Sequence, residues 1–251
     1  MHRFHADNLR GDRIDLPPGE AHHAIHVLRL RTGQEVELFD GHGASATGRI
    51  AAVGRSDVRV TVTSRADTVC RPRPRVHLGF AVPKGKRLDW LLEKATELAA
   101  ASLTPVAFER SVAGPRELAG TRRDRWLGHC VAAAKQSGLN WLPELHEPRP
   151  LADWLQSADE PLRLLGDAGS AARPLAGALP PGRAADEARV LVGPEGGLTD
   201  GEREACAEAG FLPARLGSTT LRIETAVVAL LAGIAALAGD GETGAPPAIG
   251  T

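Results

Sequence analysis

The stretch Val190-Leu191-Val192-Gly193-Pro194-Glu195-Gly196-Gly197-Leu198-Thr199 decides how this chain is read. Three consecutive apolar residues with no polar alternation read as a strand buried on both faces. A glycine-rich turn follows, and Thr199 with Glu202 three positions on is a capping box that opens a helix. Strand, turn and helix in that order put the glycines at the carboxyl end of a strand. Open α/β sheets bind ligands at that edge, and glycines there let backbone approach a ligand closely. Such a turn is common by itself. A second loop of the same kind lies downstream, Leu216-Gly217-Ser218-Thr219-Thr220-Leu221-Arg222-Ile223-Glu224-Thr225-Ala226, and feeds an apolar run over 226–238. Glu224 complements the dipole at the head of that helix. Arg222 opposes it, which points to an external partner or an ion pair for the guanidinium.

Working outward, strands alternate with helices. Strands are expected at 76–82, 103–108, 161–166 and 189–193, and helices at 87–101, 122–135, 200–210 and 224–239. The pattern implies an α/β domain with a mostly parallel sheet covered on both faces. Residues 167–186, rich in Ala, Gly and Pro, read as a loop or insertion. The first seventy residues differ: 35–39, 46–53 and 58–63 alternate apolar and polar between glycine turns, as in a small β-rich module. Arg71-Pro72-Arg73-Pro74-Arg75 reads as a linker between the two. The expected boundaries are 1–72 and 73–240, with 241–251 a flexible tail.

Composition narrows the function classes. The chain has 251 residues with 30 basic and 31 acidic side chains, a net charge of −1, so any basic footprint must be local. Only four of the basic residues are lysines (Lys84, Lys86, Lys94, Lys135); the rest are arginines, whose forked donors suit phosphate. Basic residues concentrate in 71–94 and 110–135. Three scattered cysteines with no CxxC argue against a disulfide framework or zinc knuckle and for a reducing compartment. No signal core opens the chain, and the longest apolar run is too short to span a bilayer, so a cytoplasmic protein without membrane contact is expected. Gly41-His42-Gly43-Ala44-Ser45-Ala46 fits a dinucleotide fingerprint in form but is followed by a strand-like run, so it reads as a hairpin turn. No GxxxxGK[ST] is present. His22 and His26 stand at i, i+4, but no third ligand is suitably placed; they read as the polar face of a short helix, and no metal is expected.

Taken together, Gly193-Pro194-Glu195-Gly196-Gly197 with Leu216-Gly217 and Leu221-Arg222-Ile223-Glu224-Thr225-Ala226 resemble the signature of the SPOUT RNA methyltransferases, and more closely the RsmE family of 16S rRNA (uracil-N3)-methyltransferases. Three further stretches are similar to that family: 22–30; 84–89 with 93–98; and Gln136-Ser137-Gly138. The resemblance implies a PUA-like β-barrel that helps hold RNA, followed by an α/β domain tied in a trefoil knot. It also implies a homodimer, S-adenosylmethionine as methyl donor, and 16S rRNA in the assembled small ribosomal subunit as substrate. Leu139-Asn140 and Ser218-Thr219-Thr220 depart from the family pattern, where basic side chains commonly stand.

From these readings, Gly193, Pro194, Glu195, Gly196, Leu216, Gly217 and Leu221 are expected to cradle the donor, with Gly166 as a third wall. Arg222 is expected to stabilise the uracil anion, and Glu224 to act as base or to orient Arg222. Arg29, Arg71, Arg73, Lys84, Lys86, Arg87 and Arg110 are expected to hold RNA phosphates. The alternative is an RNA-binding or ribosome-assembly factor that kept the fold without catalysis. A nucleotide-dependent Rossmann enzyme is more distant, since both phosphate fingerprints are missing.

Overall fold

The computed structural model describes residues 1–111, 122–169, 171–179 and 185–238. The expected tail over 241–251 and part of the basic stretch 110–135 lie outside the described residues. The described residues divide into two compact units, one of 1–71 with 134–142 and one of 72–133 with 143–238.

The first unit carries β1 (His2–His5), β2 (Arg13–Asp15), α1 (Pro18–His22), a π-helical turn (His23–Val27), β3 (Glu35–Phe39), β4 (Ser45–Val53) and β5 (Val58–Ala66). Its five-stranded sheet has the order β1-β3-β4-β5-β2 and is mixed: β1 runs parallel to β3, and the other pairs are antiparallel. Alternate residues of β3 and β4 point inward, so Val36, Leu38, Ala46 and Ile50 close on Phe4 and Val60. The Gly41–Gly43 segment is the β3–β4 hairpin turn. The Asp40 carboxylate accepts the amides of His42 and Ala44 at 2.7 and 3.0 Å, and Gly41 and Gly43 take φ values of 76° and 100° that glycine alone adopts without strain.

The second unit carries β6 (Arg75–Phe80), α2 (Lys86–Glu97), β7 (Ser102–Ala107), α3 (Arg122–Ser137, whose last residues group with the first unit), β8 (Glu144–Leu145), β9 (Arg149–Pro150) and α4 (Leu151–Gln156). It continues with β10 (Leu162–Gly166), β11 (Arg173–Pro174), α5 (Leu175–Ala178), β12 (Glu187–Val192), α6 (Asp200–Glu208), β13 (Leu212–Arg215) and α7 (Ile223–Ala238). The sheet order is β11-β13-β10-β12-β6-β7-β8, with β9 also on β7, and every pair is parallel. Leu78, Phe80, Leu164, Leu191 and Leu103 are wholly buried in it, as a sheet covered on both faces requires. On α2, Leu88, Leu91, Leu92 and Ala95 form one buried stripe at helical spacing.

The alternation of strands and helices is as expected, with corrections. The helix expected over 87–101 ends at Glu97, because Ala99 turns left-handed at φ 56° and closes it. The strand expected over 76–82 ends at Phe80. The stretch 167–186 is not a plain loop: it holds β11 and α5. β13 escapes a pattern reading because it is four residues long and contains Pro213, a poor strand former.

Candidate active site

Strands β13, β10 and β12 are neighbours in the sheet and all parallel, so their carboxyl ends lie side by side. The segments that leave them form one cleft of about 260 Å³, open to solvent. Gly166, Asp167 and Gly169 follow β10, Gly193–Glu195 and Leu198 follow β12, and Leu216, Gly217 and Leu221 follow β13. At about 260 Å³ it lies close to the lower end of the ~300–1,000 Å³ usual for small-molecule sites. Ile223 and Ala226 from the first turn of α7 complete an apolar wall.

The glycines do different things here. A Cβ on Gly193 would lie 2.2 Å from Cδ1 of Leu198, itself a cleft wall, so any side chain there displaces the tip of Leu198. At Gly217 a Cβ would meet nothing within 4 Å, leaving bare backbone at the cleft. Gly196, expected among the donor contacts, does not line the cleft: its added Cβ would meet Cβ of Arg110 at 3.4 Å. The loop alternates direction there, turned by the Gly197 amide on the Pro194 carbonyl at 2.9 Å, so adjacent glycines face opposite ways. The other seven expected cradle residues, Gly166, Gly193, Pro194, Glu195, Leu216, Gly217 and Leu221, all line it.

Beside the cleft, sharing Glu195, Thr220 and Leu221 with it, is a more open recess that adds Arg87 and Arg222. Arg87 Nη1 donates to Glu195 Oε1 at 2.5 Å and stands 4.0 Å from Glu224 Oε1. Glu224 is buried, and its Oε2 has no hydrogen-bond partner among the described residues. A buried carboxylate oxygen left in this way is costly unless something completes it. Arg222, immediately before α7, therefore lines the recess, and Glu224, on the first turn of α7, adjoins it through Arg87.

Pattern reading did not find Asp167 or Arg203. Both line the cleft, and the Arg203 guanidinium donates to the Asp167 carboxylate. The available signal was an acidic residue directly after the strand-ending Gly166. The capping box of α6 is present: Thr199 Oγ1 accepts from Glu202 N at 3.3 Å, and Glu202 Oε2 accepts from Thr199 N at 2.8 Å. Glu202 Oε1 also accepts from Glu109 N at 2.8 Å, which pins the loop before Arg110 to the same helix start.

The seven residues expected to hold RNA divide. Arg29, Lys84 and Lys86 are exposed. Arg29 stands at φ 53°, a left-handed conformation unfavourable to any residue with a Cβ, two positions after the π-helical turn. Arg73 is exposed but ion-paired with Asp186 at 2.8 Å. Arg71 is folded back, its Nη2 donating to the Leu142 carbonyl at 2.8 Å and its guanidinium 5.1 Å from the Trp141 ring centre. Arg87 holds Glu195, and Arg110 donates to the Gly196 carbonyl at 3.1 Å. Asn140, one of the departures from the family pattern, accepts from Arg3 at 2.5 Å and so helps hold the first unit together.

Other chemistries find little support. Burial pushes the Cys130 and Cys206 thiols up to about 11, so neither is a thiolate nucleophile near neutral pH. Among the described residues no group of three or more His, Cys, Asp or Glu is placed to hold a metal, and no helix is long and apolar enough to cross a membrane.

Comparison with known proteins agrees with this geometry. Residues 71–235 match the family model of the RNA methyltransferase domain, and residues 16–63 match that of the RNA methyltransferase PUA domain. The ribosomal RNA small subunit methyltransferase E of Mycobacterium bovis is 32% identical over 228 residues, covering 87% of this chain and 84% of that protein. Its Bacillus subtilis counterpart is 29% identical over 224 residues, covering 86% of each. The crystal structure of a ribosomal RNA small subunit methyltransferase E from Neisseria gonorrhoeae, bound to S-adenosylmethionine, superposes with a TM-score of 0.83 at 28% identity, over 94% of this chain and 98% of that one. With an α/β methyltransferase unit and a PUA-type module matched over most of its length, this chain belongs to the ribosomal RNA small subunit methyltransferase E family.

Proposed function

We propose that this protein methylates N3 of a uridine in 16S rRNA, using S-adenosylmethionine, on the small ribosomal subunit in the cytoplasm. The observation that carries the reading is one cleft built from three adjacent parallel strand ends, bordered by a recess lined by Arg222 and by Arg87, whose guanidinium stands 4.0 Å from the buried Glu224 carboxylate.

The cleft fits the donor. Leu216, Leu221, Ile223 and Ala226 offer an apolar wall for a purine, the bare backbone at Gly217 admits close approach, and Asp167 and Arg203 offer polar partners for hydroxyl or amino-acid groups. When bound, S-adenosylmethionine supplies an activated sulfonium methyl, so the reaction needs no metal. The chain's part is to position the acceptor and manage its proton. Uracil N3 carries a weakly acidic proton on its pairing edge, so the base must be unpaired or flipped out of the helix. Glu224 Oε2 accepts that proton, which completes the oxygen the structure leaves without a partner. Arg222 donates to O2 or O4 and stabilises the charge that develops there.

The domain assignment follows: 1–72 as a PUA-like RNA-binding barrel and 73–240 as the methyltransferase domain, in which β13 returns to pair with β10 as part of a trefoil knot. Arg29, Lys84 and Lys86, exposed and with no ion pair described for them, hold rRNA phosphates. The protein acts as a homodimer; Trp90 on α2 and Leu237 on α7, 41% and 52% exposed, are apolar surface that a second copy would cover.

The test is transfer of labelled methyl from S-adenosylmethionine to small subunits lacking the modification, followed by nucleoside analysis. Label recovered as 3-methyluridine is the expected result. Donor binding without transfer would refute the acceptor. A chain that binds small subunits but no donor would be the assembly factor instead.

A further inference from the structure

Arg87 sits between two carboxylates that the sequence separates widely. Its Nη1 is 2.5 Å from Oε1 of Glu195, in the glycine loop after β12, and 4.0 Å from Oε1 of Glu224, on the first turn of α7. The arginine is on the first turn of α2, next to Leu88, which is buried in the stripe that anchors the helix. Its side chain is 31% exposed, whereas Lys84 and Lys86 beside it stand in solvent. A phosphate approaching Nη1 would have to compete with Glu195 for it. Glu195 lines both the donor cleft and the recess, so whatever holds it holds the wall between the two. Without a cation there, two carboxylates would face each other across that wall and drive the loop away from α7.

We infer that Arg87 is a positioning residue and not an RNA contact: it ties the donor loop, through Glu195, to the helix turn that carries Glu224 and Arg222. Donor and acceptor are thereby held in one frame, because one guanidinium nitrogen, Nη1, faces both carboxylates. Arg110 acts on the same loop from the other side through the Gly196 carbonyl, but reaches neither carboxylate in the described contacts. The inference rests on the methyl-transfer reading above.

The experiment is a double-mutant cycle with Arg87→Ala, Glu195→Gln and the pair, measured by single-turnover methyl transfer, donor affinity and the salt dependence of small-subunit binding. Losing a charge-assisted hydrogen bond should slow single turnover roughly tenfold. Donor affinity should weaken a few-fold (on the order of the same lost bond). Subunit affinity and its salt slope should stay as in the wild type. The pair should be no slower than either single variant, since both break one interaction. Arg87→Lys, which keeps the charge without the fork, should recover part of the rate; it replaces Arg87→Ala in the cycle if that variant does not fold. The inference is overturned if Arg87→Ala instead weakens subunit binding and lowers the salt slope by about one while sparing donor affinity and rate, as a phosphate contact would. Additive losses in the cycle would overturn it equally. A wild-type chain that binds no donor or transfers no methyl refutes the proposed function itself, an outcome the variants do not confuse with this one.

Discussion

The two edges of the parallel sheet in the second unit are built on opposite principles. At the amino-terminal edge the charges close on one another. Glu160, before β10, receives two hydrogen bonds from Arg189 of β12 at 2.6 and 2.9 Å. Arg189 goes on to the Trp154 carbonyl and Ser157 hydroxyl at 3.0 Å each, and its guanidinium lies 4.9 Å from the Trp154 ring centre. Arg75 pairs with Glu187, and Arg73 with Asp186, on the same side. At the carboxyl-terminal edge the backbone is opened by glycines, and Glu224 keeps a buried oxygen with no partner among the described residues. One edge satisfies its polar groups and supports the fold; the other leaves groups for something else to satisfy. Damage at the first should therefore appear as lost stability and at the second as lost activity.

The sharpest way to break that contrast is Arg222→Ala. Removing a donor to developing charge should lower transfer roughly 10²–10³-fold with donor affinity held within about twofold. Single-turnover rates and calorimetric donor binding measure the two quantities, and equal loss in both would move Arg222 out of the acceptor recess.

At the opposite edge, Glu160→Gln leaves Arg189 without its anion in a buried setting. It should cost about 3 kcal/mol of stability in urea unfolding, while the folded variant keeps its donor affinity. The same pair makes a pH prediction. Burial alone would raise the Glu160 pKa, but hydrogen bonds from Arg189 and backbone, with the charges of Arg189 and His77, leave it below the ordinary carboxylate value. A carboxyl depressed on folding stabilises fully above its unfolded pKa of about 4.5, and that contribution is lost as pH falls through the lower folded value. Unfolding midpoints of the wild type should drop below about pH 4.5 more steeply than those of Glu160→Gln, and parallel curves would refute the assignment.

A smaller effect separates two neighbouring glycines. Gly193→Ala forces Leu198 off the cleft wall and should weaken donor binding about tenfold, whereas Gly196→Ala meets only the stem of Arg110 and should change it less than about twofold. Equal effects would mean that both glycines face the donor.

What was legible in the sequence follows from how each part is made. The cleft rests on short-range features: a strand of three apolar residues, a glycine turn, a capping box. Seven of the eight residues expected to cradle the donor line it. Gly196 escaped because two adjacent glycines look alike on paper, and only the turn at Gly197 decides which faces in. The roles of Arg87 and Arg110 escaped for the opposite reason. Their partners lie 108 and 86 positions away, and no spacing rule foretells such a pairing, so a cluster of basic residues reads as a phosphate footprint. Arg71 likewise stands over the Trp141 ring, a contact that no spacing in the sequence announces. β13 was hidden by its proline and its brevity, although the cleft depends on the loop that leaves it.

The placement of β13 has a consequence for assembly. Its partners in the sheet are β10 and β11, not β12, the strand that precedes it in the chain. The third wall, Leu216 to Leu221, thus comes into register only after a non-local pairing that spans the whole of β12 and α6. Long-range parallel pairings of this kind form late, because chain closure must come before they stabilise anything. The binding site is accordingly among the last features to mature, and a ligand that recognises all three walls at once reports that the sheet is complete. Occupancy then acts as a seal on the finished fold, adding about 2.7 kcal/mol at a hundredfold excess over the dissociation constant. A partly paired sheet, lacking one wall, gains none of it.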